Sequence, residues 1–142
     1  MSVAYLDSSA LAKLYLDEDK AEHLQVIDLI ERCGQVASCA IAYAEVSGVF
    51  ARYFHESRLT QEDYEEKLAR FSADWETVST VAVAPELSTL AAQLMKSQLG
   101  LRAMDALHLA AALRVRAEGD LQFLTFDTHL RRSAQALMPD AF

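Results

Sequence analysis

The 142-residue chain contains few glycines and prolines, with four of the first and two of the second. That scarcity argues against an all-β protein, which needs many tight turns, and against a flexible linker. The length is that of one average domain, and a chain with 52% apolar residues can bury roughly two-thirds of its unfolded surface. We therefore predict one domain, residues 1–142, in which helices dominate.

Cysteines and long apolar runs are also scarce. Cys33 and Cys39 are too few for a disulfide framework, and no Cys-x-x-Cys spacing is present to hold zinc. The amino-terminal residues lack the basic start of a secretory signal, and no apolar stretch approaches the roughly 20 residues of a membrane helix. These absences predict a cytoplasmic protein that does not enter a membrane.

The chain has no excess of basic residues. Its formal net charge is −8, and the whole excess of acidic over basic residues lies in residues 1–84. A protein that simply coats nucleic acid usually has a basic face, so this class is disfavoured. Residues 85–142 contain equal numbers of acidic and basic residues, so a local basic surface is compatible with the negative net charge. Some of the acidic residues can also belong to a cation-binding site.

Short apolar runs alternate with helical patterns along the chain. We predict strands over residues 3–7, 35–40, 78–83 and 121–126, and helices that include residues 41–57, a segment starting at Thr60, a segment opened by Pro85 and residues 103–118. Strands separated by helices favour a parallel sheet with helices on both faces. The predicted fold class is therefore α/β.

Four acids lie where such sheets bind ligands, beyond the carboxyl ends of the strands. Asp7 and Asp127 close the first and last strands, whereas Glu45 and Asp105 lie in the first turns of helices. Taken singly, Asp7 and Asp127 can be helix caps, Glu45 a solvated helix residue and Asp105 a charge on a helix dipole. Gathered at one sheet edge, however, four carboxylates repel one another unless a cation lies between them.

The ligand types in this set indicate which cation that is. Carboxylate oxygens without cysteine or a histidine pair select hard cations, so we predict Mg²⁺ or Mn²⁺ rather than zinc. Two such ions would activate a water and stabilise a leaving oxygen, which makes phosphodiester hydrolysis the predicted reaction. The metal also reverses the local potential, so a globally acidic protein can still bind a phosphate backbone there.

The motifs around these acids resemble those of a known family. They are YLDSSALAKLY at residues 5–15, Glu45 after a short strand, MDALHLAAA at residues 104–112 and FLTFDTHL at residues 123–130. In this order and spacing, over nearly the whole chain, they look like the motifs of PIN-domain ribonucleases, above all the VapC-type toxins of toxin–antitoxin systems. The resemblance implies a single PIN domain over residues 1–142. It also implies a three-layer α/β/α fold with a short central parallel sheet of four or five strands and about seven helices.

The resemblance implies an activity and a set of residue roles as well. Asp7, Glu45, Asp105 and Asp127 would be the catalytic, metal-binding acids, and Ser9 would be the small polar residue that accompanies the first of them. The protein would be an endoribonuclease that cleaves RNA with Mg²⁺, for which Mn²⁺ substitutes. It would act as a toxin, be held inactive by a cognate antitoxin and form a homodimer.

Several residues near these acids have more than one interpretation. Candidate phosphate contacts, each of which can equally serve solubility, are Lys13, Arg102, Arg131 and Arg132. Asp120 competes with Asp127 for the fourth acid position, although it precedes the last strand and so belongs at the opposite edge. His108 follows Asp105 by three residues on the same side of a helix, and we expect it to be packed rather than to act as a base.

Two other function classes stay open at this stage. A non-catalytic PIN-like module that binds RNA or a protein is the main alternative, although it has no need of four intact acids. A small-molecule phosphatase or a phosphorylated receiver is less compatible with the residues. The chain has Asp7-Ser8-Ser9 where the phosphatases have Asp-x-Asp, and it lacks the paired acids and late lysine of a receiver.

Overall fold

The computed structural model describes residues 2–16 and 18–142, so that Met1 and Asp17 lie outside the described residues. The elements in chain order are β1 (Val3–Leu6), α1 (Ser8–Ala12), α2 (Lys20–Cys33), β2 (Val36–Cys39), α3 (Ala42–His55), α4 (Gln61–Trp75), β3 (Ser79–Val81), α5 (Pro85–Ser97), α6 (Ala103–Arg116), β4 (Leu121–Leu124), α7 (Thr128–Leu137) and a 3₁₀ helix (Pro139–Ala141). Within the described residues there are thus four strands and seven α-helices, in agreement with the predicted α/β class.

All the strands run parallel, in the spatial order β3-β2-β1-β4. The chain begins in an inner strand, continues to β2 and β3 on one side, and returns to place β4 on the other side of β1. In the β1–β4 register, Leu6 lies opposite Leu124. The direction of the connections therefore reverses between β1 and β4, and α/β sheets bind ligands beyond the carboxyl ends of the strands at such a point.

The alternation of side chains along β1 accounts for the layers on the two faces of the sheet. Ala4 and Leu6 belong to one buried cluster, whereas Tyr5 belongs to the other. The first cluster includes residues of α1 to α4, with Phe50 and Phe71 fully buried, and the second includes residues of α5, α6 and α7. The predicted three-layer α/β/α arrangement is therefore confirmed.

The helix ends follow the capping chemistry read from the sequence. Thr60 precedes α4 and its hydroxyl oxygen accepts a hydrogen bond from the Asp63 N–H at 3.0 Å. Pro85 occupies the first turn of α5, where its missing N–H costs nothing. Gly34 ends α2 with a φ of 78°, a left-handed conformation that glycine adopts without strain.

The last strand is shorter than predicted, because β4 ends at Leu124 rather than at residue 126. The backbone beyond it bonds to side chains instead of to a neighbouring strand. The Phe126 N–H donates to Ser9 Oγ at 2.9 Å, and the Asp127 N–H donates to Thr125 Oγ1 at 3.0 Å. These bonds turn the chain towards α7, and they involve residues at the predicted site.

Cys33 and Cys39 are both free and buried, as expected of small apolar residues. Among the helices that the structure describes, none is long and apolar enough to cross a membrane.

Candidate active site

Asp7 follows β1 and is buried, with 4% of its surface exposed. Its Oδ1 accepts hydrogen bonds from Ser9 Oγ at 2.7 Å and from the Ala10 N–H at 3.1 Å. Its Oδ2 accepts a hydrogen bond from Thr125 Oγ1 at 2.6 Å. Asp7 therefore does cap α1, as one interpretation held, but it is also tied to the end of β4, which capping does not require.

The electrostatics of Asp7 reflect this position. Burial raises the pKa of its carboxyl group, because removal from water disfavours the charged form. The hydrogen bonds from Thr125, Ser9 and Ala10 act in the opposite direction, since each favours the carboxylate. The result is a carboxylate held rigidly at the sheet edge by donors from two separate parts of the chain.

Thr125 connects the ends of the two neighbouring strands. Besides donating to Asp7, its hydroxyl oxygen accepts the bond from the Asp127 N–H and lies 3.3 Å from Ser9 Oγ. Sequence reasoning identified Ser9 but missed Thr125, because Thr125 was assigned to the predicted strand. The β1–β4 pairing, with Leu6 opposite Leu124, is the signal that would have found it.

Glu45 lies in the first turn of α3 and contacts a buried histidine of α6. Its Oε1 lies 2.8 Å from His108 Nε2, and His108 Nδ1 lies 2.8 Å from the Tyr5 hydroxyl. Because an ionised carboxylate only accepts, we assign the proton to Nε2, which leaves Nδ1 to accept from Tyr5. The expectation that His108 is packed is confirmed at 2% exposure, but its bond to Glu45 was not predicted.

Asp105 lies in the first turn of α6, where its Oδ2 accepts a 3.4 Å hydrogen bond from the Arg102 N–H. Burial raises the pKa of Asp105, and the negative charges of Asp127 and Glu45 raise it further. Asp127 caps α7, with Oδ1 accepting from the Leu130 N–H at 2.8 Å. The capping interpretation of Asp127 is thus correct, and Asp105 lies at the amino end of a helix, as its dipole interpretation required. Asp105 is also close enough to Asp127 and Glu45 for their charges to repel its own.

The competing acid Asp120 lies at the other edge of the sheet. Its main-chain oxygen accepts a 2.9 Å hydrogen bond from the N–H of Val3, at the start of β1. Because parallel strands all run in one direction, the length of β4 separates Asp120 from Asp127. Asp127 is therefore the acid at the carboxyl edge.

The donor chemistry of this edge fits a hard cation, although no chelating geometry is preformed. Across residues 2–16 and 18–142, no three acid, histidine or cysteine side chains are arranged to hold a metal ion. Both oxygens of Asp7 and one oxygen of each other acid bond to protein donors. The second oxygens of Glu45, Asp105 and Asp127 accept no hydrogen bond from the described residues, and such carboxylate oxygens suit Mg²⁺ or Mn²⁺.

The four basic candidates are placed differently with respect to the acids. Lys13 forms an ion pair with Glu22 at 2.9 Å, so its charge is already engaged. Arg102 is exposed and directly precedes α6, beside Asp105. Arg131 and Arg132 are both exposed on α7, and Arg131 lines a separate pocket along β4. Of the four, Arg102 is the one whose N–H donates to the side chain of a site acid, whereas the Arg131 N–H donates to the main-chain oxygen of Asp127 at 2.9 Å.

The sequence matches the family described as the PIN domain over residues 4–135, which is most of the chain. The chain belongs to the PIN domain family. Two relatives from Mycobacterium tuberculosis are ribonuclease VapC45 of strain CDC 1551 / Oshkosh and ribonuclease VapC49 of strain ATCC 25618 / H37Rv. Each is 31% identical over 140 residues, which cover 96% of this chain and 92% of the relative. The resemblance to VapC-type PIN-domain ribonucleases is confirmed.

Two solved structures share the fold. Mycobacterium tuberculosis VapC20, a sarcin-ricin loop cleaving toxin, has a TM-score of 0.67 at 17% identity over 92% of this chain and 94% of that one. VapBC2 of Rickettsia felis, solved with a DNA fragment from its promoter, has a TM-score of 0.61 at 13% identity over 92% of each chain. At these identities the likeness concerns the fold alone, and it confirms the PIN-like architecture.

Proposed function

We propose that this PIN domain is a Mg²⁺-dependent endoribonuclease, with Mn²⁺ as a substitute, and the toxin of a toxin–antitoxin pair. The metal would be held by Asp7, Glu45, Asp105 and Asp127. The observation that carries the proposal is the position of these acids beyond the ends of β1 and β4 and in the first turns of α3 and α6, where burial and the charges of Asp127 and Glu45 raise the pKa of Asp105. In the part of the chain that the structure describes, none of them forms an ion pair with a lysine or arginine.

The chain's own residues prepare this edge for the reaction. When bound, the metal supplies an activated water and neutralises charge on the phosphate oxygens. Ser9 and Thr125 hold the Asp7 carboxylate in place, and His108 holds Glu45. Arg102, exposed beside Asp105, is the basic residue best placed to contact a substrate phosphate.

The more distant arginines of α7, Arg131 and Arg132, are proposed to contact phosphates farther along the substrate. RNA is the favoured substrate because the relatives VapC45 and VapC49 are ribonucleases, and VapC20, which shares the fold, is a sarcin-ricin loop cleaving toxin. Proteins recognise RNA mostly through unpaired loops, whose bases and phosphates are accessible to an open site of this kind.

A protein partner belongs to the same proposal. VapBC2, which shares this fold, was solved as a complex, and we infer that this chain likewise has a cognate antitoxin that blocks the acid edge. We also propose a homodimer. Its support is a group of exposed apolar side chains around the junction of α5 and α6, namely Met95, Leu99 and Met104.

The deciding experiment is digestion of total RNA by purified, antitoxin-free protein with Mg²⁺ or Mn²⁺. We expect discrete fragments, with no cleavage in EDTA and none by an Asp7→Asn variant. Sequencing of the fragment ends would then identify the target. RNA that stays intact with a protein shown by calorimetry to have bound Mn²⁺ would contradict the nuclease proposal.

The non-catalytic binding module is the second candidate, and one observation favours it. The acid oxygens turn towards protein donors, and within the described residues they form no ready metal-binding group. Calorimetry separates the two candidates, because a nuclease of the proposed kind binds Mn²⁺ and loses affinity in Asp105→Asn. A protein that binds RNA but not Mn²⁺ is a binding module.

Replacing Thr125 with valine is expected to reduce RNA cleavage by about 10-fold, the lower end of the effect of losing a partner of a metal ligand. The change keeps the shape of the side chain but removes the hydroxyl between Asp7 and Asp127. Thr125→Ser restores the hydroxyl and should restore most of the activity. Thr80 is exposed on β3, the strand at the far side of the sheet from β4, so Thr80→Val is the matched control. Full activity of Thr125→Val would show that this bond does not support the site.

A further inference from the structure

A groove of about 600 Å³ lies between α1 and α3, next to the acids. On one wall α1 contributes Ser8, Ser9 and Ala12, and on the other wall α3 contributes Glu45, Gly48 and Arg52. The groove opens directly onto the proposed cleavage site, because Glu45 belongs to both and Ser9 donates to Asp7. A substrate strand bound at the acids must leave the site in some direction, and this groove is continuous with it.

The residues on the α3 wall follow one face of the helix. Glu45, Gly48 and Arg52 are spaced at i, i+3 and i+7, which places Arg52 about 10 Å from Glu45 along the helix axis. A phosphate that contacts Arg52 is therefore not the phosphate at the acids but one farther along the same strand. The two charged residues of the groove thus lie at opposite ends of its α3 wall.

Arg52 is available for such a contact. Its side chain is exposed, and across residues 2–16 and 18–142 no carboxylate forms an ion pair with it. A guanidinium that none of these carboxylates engages is notable in a chain with a net charge of −8, and its Cζ lies 5.9 Å from the centroid of the Tyr53 ring. Its planar set of donors binds phosphate through two parallel hydrogen bonds.

Gly48 provides a second and independent observation. A glycine inside a helix destabilises it by roughly 0.5–1 kcal/mol relative to alanine. Packing does not require this one, because a Cβ atom added at Gly48 would meet nothing within 4 Å. The missing side chain instead leaves open space on the α3 wall between Glu45 and Arg52, which allows a ligand to approach the helix closely.

We propose that this groove binds the RNA strand on one side of the cleaved bond, with Arg52 contacting a phosphate and Gly48 leaving room for the nucleotide between. The inference rests on the proposed function and names a binding subsite within it. An RNA strand is favoured over a protein segment because the groove begins at the metal-binding acids and offers a phosphate-binding cation at its other end.

Binding is tested separately from cleavage, in an inactive Asp105→Asn background with Mg²⁺. The probe is a fluorescein-labelled, randomised 20-nucleotide single-stranded RNA followed by anisotropy at several salt concentrations. Arg52→Gln should weaken binding and reduce the slope of log K against log salt by about 0.7, the value for one phosphate contact on a single strand. Arg114→Gln, an exposed arginine late in α6, should leave both unchanged.

Gly48 offers a steric test with its own control. Gly48→Leu fills the groove and should weaken RNA binding by about 10-fold or more, whereas Gly48→Ala should keep binding close to the parent. Both replacements favour the helix, so loss of binding cannot be attributed to unfolding if circular dichroism is unchanged. Parent-like binding by Gly48→Leu and Arg52→Gln, or no RNA binding by the parent, would overturn the proposal.

The outcomes also separate this inference from the nuclease proposal. Groove-dependent RNA binding without cleavage by the otherwise wild-type protein would support the groove and contradict the nuclease. Cleavage that is unaffected by Gly48→Leu and Arg52→Gln would support the nuclease proposal and contradict the groove proposal. If the two variants bind RNA normally but fail to bind the antitoxin, the groove holds a protein segment and the RNA proposal is wrong.

Discussion

Asp105→Asn is expected to abolish RNA cleavage and, in the absence of metal, to raise the melting temperature. Cleavage should fall by more than about 100-fold. Mutating a residue that supports a metal ligand typically lowers activity by roughly 10- to 100-fold, and removing the ligand itself should have a larger effect. Stability should rise because burial and the charges of Asp127 and Glu45 disfavour the ionised carboxyl of Asp105. Asparagine has a similar shape and can accept the Arg102 N–H bond, but it carries no charge.

The pH dependence of this stabilisation has a definite sign. A carboxyl whose pKa is raised in the folded state binds its proton more tightly there, so stability falls as pH rises from the unfolded pKa through the folded one. The wild type therefore carries the whole penalty only at pH values above the folded pKa. The difference in melting temperature between Asp105→Asn and wild type should be largest there and vanish below about pH 3.9.

The control for this prediction is an aspartate with the opposite shift. Arg116 lowers the pKa of the exposed Asp140 through a hydrogen-bonded ion pair. Asp140→Asn should therefore keep full cleavage and should not raise the melting temperature. Thermal melts in EDTA from pH 3 to pH 8 provide the measurement. An Asp105→Asn variant that is less stable than wild type at pH 7 would show that repulsion is not the dominant interaction of this carboxylate.

His108→Leu is expected to reduce both cleavage and Mn²⁺ affinity by about 10- to 100-fold, although His108 is not itself a proposed ligand. The substitution removes the group that fixes Glu45 at 2.8 Å and leaves the Tyr5 hydroxyl without its partner. An unsatisfied polar group in a buried position costs about 1–3 kcal/mol, so the free energy of unfolding should also fall.

Two further variants distinguish positioning of Glu45 from a general loss of stability. His108→Gln keeps a side-chain N–H donor and should recover part of the Mn²⁺ affinity. Tyr5→Phe removes only the hydroxyl, while the ring keeps its stacking on Phe123 at 5.4 Å between centroids. Calorimetry well below each melting temperature gives the affinities. Wild-type Mn²⁺ binding by His108→Leu would mean that the histidine only fills space.

The sequence alone was sufficient for the class of fold and for the approximate place of the acids. Apolar runs separated by helical patterns predicted parallel strands with helices on both faces, and the structure has them. Asp7 and Asp127 were found because a residue that ends a strand can be recognised locally. The prediction that Asp120 lies at the opposite edge was correct for the same reason, since strand direction follows from chain order.

The contacts that shape the site were decided only by the tertiary structure. Thr125 and Asp7 are 118 residues apart in the chain, and His108 and Glu45 are 63 apart. Periodicity describes which way a side chain points within one element, but it does not specify which elements become neighbours. Thr125 meets Asp7 because β4 pairs with β1 in one particular register.

The basic residues show the same division. Lys13 is near Asp7 in sequence, yet the packing of α2 pairs it with Glu22. Arg52 was not among the candidates from the sequence, and only the packing of α1 beside α3 leaves a groove between these two helices. Residue types and their spacing therefore determined the fold class and the candidate acids. The sheet order and helix packing determined which groups hold those acids in place and where a substrate strand has room, because both depend on distances between remote parts of the chain.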